Sequence, residues 1–267
     1  MRTIVHLSDF HFGRVQKRVI TPMIEAIARI APDLVAVSGD LTQRARATQF
    51  RDARAFLDRL PTPQIVVPGN HDVPLHNVAA RFLQPLSGFR RYITDDLRPF
   101  YLDGEIAVLG VNTARSLTIK RGRVNEAQIA WMTERFSGCP PGIVKIVVTH
   151  HPFDVPDGHD ERNLVGRAHL AMNALAQSGA DVFLAGHLHV SHTSHSVTRY
   201  DITGHSALLV QAGTAASDRG RGEANSFNVL RVDRPAIAIE RFEWQAERQA
   251  FDRVAVEHYR HTPGGWV

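Results

Sequence analysis

Apolar residues fall along this chain in short bursts of four to seven, each closed by a polar or glycine-bearing turn. In order they are "RTIVHLSD", "DLVAVSGD", "QIVVPGN", "EIAVLGVNT", "VKIVVTHH", "DVFLAGHLH", "SALLVQAGT", "FNVLRVD" and "AIAIERFEW". Rich in β-branched side chains and flanked by Gly, Pro, Asp and Asn, they predict largely buried strands. Between several of them the period changes to that of a helix. "TPMIEAIARIA" places Pro22 in a first helical turn, and "ATQFRDARAFLDRL" puts Phe50, Ala53, Phe56, Leu57 and Leu60 on one face. "NEAQIAWMTERF" and "RAHLAMNALAQSG" follow the same spacing. Strand and helix alternate in the first half, and strands dominate the second. That order implies α/β layers with helices outside one or two central sheets. No repeat, low-complexity tract or linker interrupts it, which favours a single domain.

The polar positions carry the chemistry. Five bursts end in polar clusters: "SDFH" at 8–11, "GD" at 39–40, "GNHD" at 69–72, "THH" at 149–151 and "GHLH" at 186–189. Ligands of open α/β sheets bind beyond the carboxyl ends of strands, so clusters distant in sequence can converge on one site. The residues involved are Asp9, His11, Asp40, Asn70, His71, His150, His151, His187 and His189, an oxygen and imidazole set without sulfur. Such a set suits Zn, Mn or Fe rather than Cu(I) or an iron–sulfur cluster. Asp9 and His11 are two apart, as are His187 and His189, and in an extended segment such pairs face one side. His71 and His151 are expected to point elsewhere. The seven remaining donors exceed the places around one ion, and a carboxylate in their midst can bridge two, a known arrangement for clamping a phosphoryl group.

Composition narrows the picture further. With one cysteine, Cys139 in the turn "SGCPPG", an intrachain disulfide and a thiolate cluster are excluded. No apolar run reaches membrane-span length, and the start lacks the pattern of a secretory signal, so a cytosolic protein is expected. The formal net charge of +4, with a pI near 9.6, suits an anionic substrate, although no Lys/Arg cluster is dense enough to announce nucleic acid.

The ordered series Asp9/His11, Gly39-Asp40, Gly69-Asn70-His71-Asp72, His150 and Gly186-His187-Leu188-His189 resembles the calcineurin-like metallophosphoesterases. It covers about 180 residues. "VTHHP" and "GRVNEAQIAWM" are most similar to the bacterial class III cyclic-nucleotide phosphodiesterase branch. The resemblance implies a four-layer α-β-β-α sandwich with two central mixed sheets and a metal site at the strand C-terminal ends. It implies a catalytic domain over 1–245, while the pattern does not decide how the tail 246–267 packs. One ion would be held by Asp9, His11, Asp40 and His189, the other by Asp40, Asn70, His150 and His187, with Asp40 as the bridge. The ions implied are Fe or Mn, with Zn or Co as alternatives.

His71 resembles the family's general acid, protonating an alkoxide leaving group. The implied reaction is in-line attack of a metal-bridging hydroxide on a small phosphodiester, a 3′,5′- or 2′,3′-cyclic nucleotide. A glycerophosphodiester or phospholipid-headgroup diesterase, a nuclease and an inactive scaffold are the alternatives. A homodimer is suggested by relatives. Asp72 is expected to orient a neighbouring motif residue. Gln43 stands where many relatives carry an acidic residue or tyrosine, which disfavours the purple acid phosphatase branch. His6 is read as a packed histidine. His76, His159, His169, His205, His258 and His261 are read as surface or supporting residues, and His192 and His195 as members of the loop or strand beyond the site. Whether Arg14, Lys17, Arg18 or the loop 115–123 meets substrate is left open by the sequence.

Overall fold

A computed structural model describes residues 1–75, 77–219 and 222–267 of the chain, so His76 lies outside the described residues. The first half runs β1 (Arg2–Leu7), α1 (Lys17–Ile30), β2 (Leu34–Ser38), α2 (Ala47–Leu57), β3 (Gln64–Val67), α3 (Val78–Leu83), α4 (Ser87–Tyr92), β4 (Phe100–Leu102), β5 (Ile106–Gly110) and α5 (Glu126–Ser137). There follow β6 (Val144–Val148), α6 (Ala168–Gln177), β7 (Val182–Ala185), β8 (His192–His195), β9 (Leu208–Gln211), β10 (Ser226–Asp233), β11 (Ala236–Gln245), β12 (Ala250–Thr262) and β13 (Gly265–Trp266).

Two mixed sheets result. One has the order β13-β12-β11-β10-β1-β2-β3 and the other β4-β5-β6-β7-β9-β8. The period-2 alternation of each strand divides its side chains between two cores. In β1, Ile4 packs into an inter-sheet core with Leu34, Ile65, Val108, Ile146 and Leu184. Its neighbour Val5 packs on the other face with Val19, Met23 and Ile27 of α1 and Phe50, Phe56 and Leu57 of α2. On the second sheet, Leu109, Val147 and Phe183 turn outward onto Met132 and Phe136 of α5 and Met172 and Leu175 of α6. Helices, sheet, sheet and helices therefore form four layers. The central strands read as unbroken apolar bursts because both of their faces are buried.

Two local details differ from the sequence pattern. α1 begins at Lys17, so Pro22 lies inside the helix instead of in its first turn. It removes only the hydrogen bond to the carbonyl of Arg18, one turn from the helix start. The last residues form β12, paired with β11 from Ala236↔Arg260 to Gln245↔Ala250, so the 245/246 boundary falls within this hairpin. Trp266 is buried at the opposite pole from the polar clusters, its indole N–H donating to Asp181 at 2.8 Å. Among the described residues no helix is long and apolar enough to cross a membrane.

Candidate metal centre

β1, β2, β3, β6 and β7 end side by side, and the chain turns sharply after each. Asp9, His11, Asp40, His187 and His189 all have φ between 51° and 75°, the left-handed region that residues with a Cβ seldom adopt. Each such residue costs of order 1 kcal/mol, and their concentration here marks a built site. Paired side chains do converge, but through these left-handed turns and not through extended alternation. Between Asp9 and His11 the backbone turn sends Phe10 into the helix-side core.

Glycines make the close approach possible. A Cβ on Gly186 would collide with Ser8 Oγ and Asp9 Oδ2, and one on Gly69 with the Asp40 backbone and carboxylate. The strand ends could not meet at these distances with larger residues.

Six side chains form two donor sets, and Asp40 stands between them. In the first, Asp9 Oδ1 lies 3.5 Å from His11 Nε2 and 3.3 Å from His189 Nε2, and the two ring nitrogens are 3.2 Å apart. In the second, His150 Nε2 lies 3.1 Å from Asn70 Oδ1 and 3.3 Å from His187 Nδ1. Asp40 Oδ2 is 3.4 Å from His150 Nε2 and 3.8 Å from His11 Nε2, so it belongs to both. A tetrahedral ion with bonds of about 2.0–2.1 Å sets its donors roughly 3.3–3.4 Å apart, which matches these spacings. Asp9 Oδ1 is fully buried without a hydrogen-bond partner, while Oδ2 accepts from Ser8 Oγ at 2.6 Å and the His187 N–H at 2.9 Å. An unpaired buried carboxylate oxygen facing two imidazoles fits a cation.

Surrounding groups orient the donors. The Nδ1–H of His150 donates to the Ser38 carbonyl at 2.8 Å, and that of His189 to the Arg219 carbonyl at 3.1 Å. Each bond turns Nε2 inward with its lone pair free. Asp40 Oδ1 accepts the His71 N–H at 2.8 Å. Asp72 accepts from the backbone N–H groups of Leu41, Thr42 and Gly69 and from Thr42 Oγ1 at 2.8–3.2 Å. It staples the turns after β2 and β3, so it orients backbone and not an imidazole. Burial, with the neighbouring Asp40 charge, raises its carboxyl to about 6.

The charge balance also points to cations. Burial opposes ionisation of Asp9 and Asp40, yet the imidazoles around them hold both carboxyls below the ordinary range. Burial likewise opposes charge on His150, but the facing Asp40 outweighs it and raises the imidazole to about 9. Burial and the charge on His150 push His187 down to about 3. Two buried carboxylates thus draw positive charge from whichever neighbours can supply it. Bound ions would take over that role and displace the protons.

His71 lies beside the first set, its ring edge-on to His11 at 4.9 Å. Its Nδ1–H donates to the Gln43 carbonyl at 2.8 Å, and Nε2 meets Arg219 Nη1 at 3.1 Å. His151 is close enough to join a donor group with His150 and His187. Both of its nitrogens are already engaged, Nδ1 by Thr113 Oγ1 at 2.8 Å and Nε2 by the Lys120 carbonyl at 2.9 Å. His6 is packed in β1, its Nε2 on Ser38 Oγ at 2.9 Å. His192 and His195 form β8, and His192 Nε2 lies 3.8 Å from Asp154, away from both sets. Arg14 pairs with Asp218 at 3.0 Å. Arg219 belongs to none of the sequence motifs; its only signal is a basic residue in the glycine-bearing stretch "SDRGRG".

Two facing sheets whose strand ends supply two oxygen and imidazole donor sets around one carboxylate define a protein with a candidate dinuclear metal centre. The sequence model of the calcineurin-like phosphoesterases matches residues 2–191, and the chain belongs to this family. It is 28% identical over 172 residues to the glycerophosphodiester phosphodiesterase GpdQ of Enterobacter lignolyticus, covering 56% of each chain. It is 23% identical over 167 residues to a probable cyclic nucleotide phosphodiesterase of Synechococcus, covering 56% of this chain and 58% of the relative. The chain thus spans little more than half the length of the curated relatives it matches. Among solved structures, the purple acid phosphatase PPD1 of yellow lupin superposes with a TM-score of 0.69 at 11% identity, over 96% of this chain and 53% of that one. At that identity the likeness concerns the fold alone.

Proposed function

We propose that the protein is a dinuclear metal-dependent phosphodiesterase acting on small diesters, with 3′,5′- or 2′,3′-cyclic nucleotides as the leading substrates. The observation that carries this reading is the meeting of two donor sets at Asp40 Oδ2, within 3.8 Å of a nitrogen from each. Asp9, His11, His189 and Asp40 would hold one ion, and Asn70, His150, His187 and Asp40 the other. Ions bound there supply Lewis-acid charge toward phosphoryl oxygens and lower the pKa of water. Because Asn70 is a neutral donor, the site keeps a positive balance toward a diester anion. His71 lies close enough to His11 and Asp40 to join a donor group, but its ring is fixed through Nδ1 and its Nε2 faces Arg219; with that guanidinium turned to the substrate, Nε2 would carry the proton delivered to a leaving alkoxide. Such a donor is worth about 10²- to 10⁴-fold in rate. Mn or Fe suits this oxygen and nitrogen set, with Zn or Co as alternatives. A cytosolic location belongs to the same proposal and is supported by the single cysteine.

A glycerophosphodiester substrate is the second reading, favoured by the likeness to GpdQ. One panel separates the two: 3′,5′- and 2′,3′-cyclic nucleotides, glycerophosphodiesters and an aryl diester, each with Mn, Fe, Zn and Co. Preferential turnover of a cyclic nucleotide supports the first reading, and preference for glycerophosphodiesters the second. No diester turnover with any ion would overturn both.

A further inference from the structure

Residues 215–219, which follow β9, are held along the mouth of the candidate metal centre by their backbone. Ala215 N–H donates to the Ser8 carbonyl at 2.9 Å, Gln16 N–H to Ala216 at 2.8 Å, and Asp218 N–H to Arg14 at 3.0 Å. Asn225 Nδ2 adds a bond to the Ser217 carbonyl at 2.9 Å. The Arg14–Asp218 ion pair closes the same seam from outside. This anchoring delivers Arg219 to a defined place. Its carbonyl orients His189, while its side chain reaches back to His71 Nε2 at 3.1 Å and toward Gln43 Oε1 at 3.5 Å.

Other arginines withdrawn from solvent spend several of their N–H donors on protein acceptors. Arg199 is paired with Asp154 and Glu161, and Arg81 is spent on the carbonyls of Pro74, Ser116 and Thr118. Among the described residues, Arg219 has no carboxylate within ion-pair distance, and its side chain meets only His71 Nε2 and Gln43 Oε1. A guanidinium has five N–H donors in a planar fork, so most of its capacity is unused here. That fork matches two oxygens of one phosphate, and a charge-assisted pair of this kind is about twice as strong as neutral hydrogen bonds.

We infer that Arg219 is a substrate-binding residue that grips a non-bridging oxygen of the scissile phosphate from the His71 side of the site. This rests on the phosphodiesterase reading of the metal centre. The unpaired guanidinium supplies affinity for the anion and sets which end of the diester faces His71. It makes residues 215–219 part of the substrate site and not merely a support for His189.

The test compares Arg219→Lys and Arg219→Ala with the unsubstituted protein, all loaded with Mn. Metal content by mass spectrometry, calorimetric titration with inorganic phosphate, and steady-state kinetics on an aryl diester are measured on each. Metal content should be unchanged, because the backbone carbonyl that holds His189 survives both substitutions. Phosphate affinity should fall about tenfold or more in Arg219→Ala, the loss expected for a charge-assisted hydrogen bond, and KM should rise in parallel with a smaller change in kcat. Arg219→Lys should fall between, and added guanidinium should restore part of the Arg219→Ala loss. Phosphate affinity within twofold of the unsubstituted protein would overturn the inference, and so would a weakening that only follows loss of metal. If the unsubstituted protein binds metal and phosphate but turns over no diester, the phosphodiesterase reading fails, while the phosphate titration still decides whether Arg219 binds the anion.

Discussion

The two donor sets are close in shape and unlike in charge. Asp9, His11 and His189 surround the first with a carboxylate and two imidazoles; Asn70, His150 and His187 surround the second with a neutral amide and two imidazoles. Asp40 serves both. The first set is buried throughout, whereas Asn70 and His187 of the second are half-buried. Since affinity for a hard cation rises with the ligand charge around it, the first set should retain its ion more firmly and the second exchange more readily. In the proposed centre the asymmetry would divide the labour: one side would anchor its ion, and the other would stay open toward the solvent and an incoming anion.

The largest effect should follow from removing what the sets share. Asp40→Ala should empty both, with metal content near zero by mass spectrometry and diester turnover at background; retention of one full equivalent would show that the sets are independent. Asp9→Asn should act on the first set alone. It keeps an oxygen for the Ser8 and His187 hydrogen bonds but makes the set neutral like its partner, so about half the metal should be lost on dialysis. Loss of both ions together would mean that the first set templates the second. Asn70→Asp tests the converse. The second set should then hold its ion against a chelator for longer, while kcat/KM falls because the added negative charge repels the diester. His192→Ala and His195→Ala should change neither metal content nor turnover; if His192→Ala empties the centre, β8 belongs to the site after all.

Much of this arrangement is legible in the residue pattern, for identifiable reasons. The nine apolar bursts stand out because β1, β2, β5, β6 and their neighbours are buried on both faces, so their runs carry few polar interruptions. The donor residues stand out because they fall immediately beyond those bursts. β12 escapes notice because much of "AFDRVAVEHYRHT" faces solvent and its longest apolar run is only Val254-Ala255-Val256. The left-handed turns at Asp9 and His187 cannot be read from a spacing of two, which is equally compatible with extended chain. Arg219 is hidden for a different reason: its position depends on backbone hydrogen bonds to Ser8 and Arg14, some two hundred residues earlier. Asp72 is legible as a motif residue, but its role as a staple between two turns depends on contacts with Leu41 and Thr42.

The pairing of β1 with β10, from Arg2↔Val232 to His6↔Asn228, has a consequence for the order of events during synthesis. Every proposed donor lies between positions 9 and 189, yet one edge of β1 is covered only by a strand made nearly forty residues later. Until that strand emerges, β1 presents a bare, apolar edge, the kind of surface that recruits other chains. A nascent chain ending near residue 191 would carry the complete set of donors and still be unable to seal the sheet that holds them. Contacts so remote in sequence also slow folding. That edge of β1 therefore stays unpaired while every proposed donor is made, and is closed only when β10 follows.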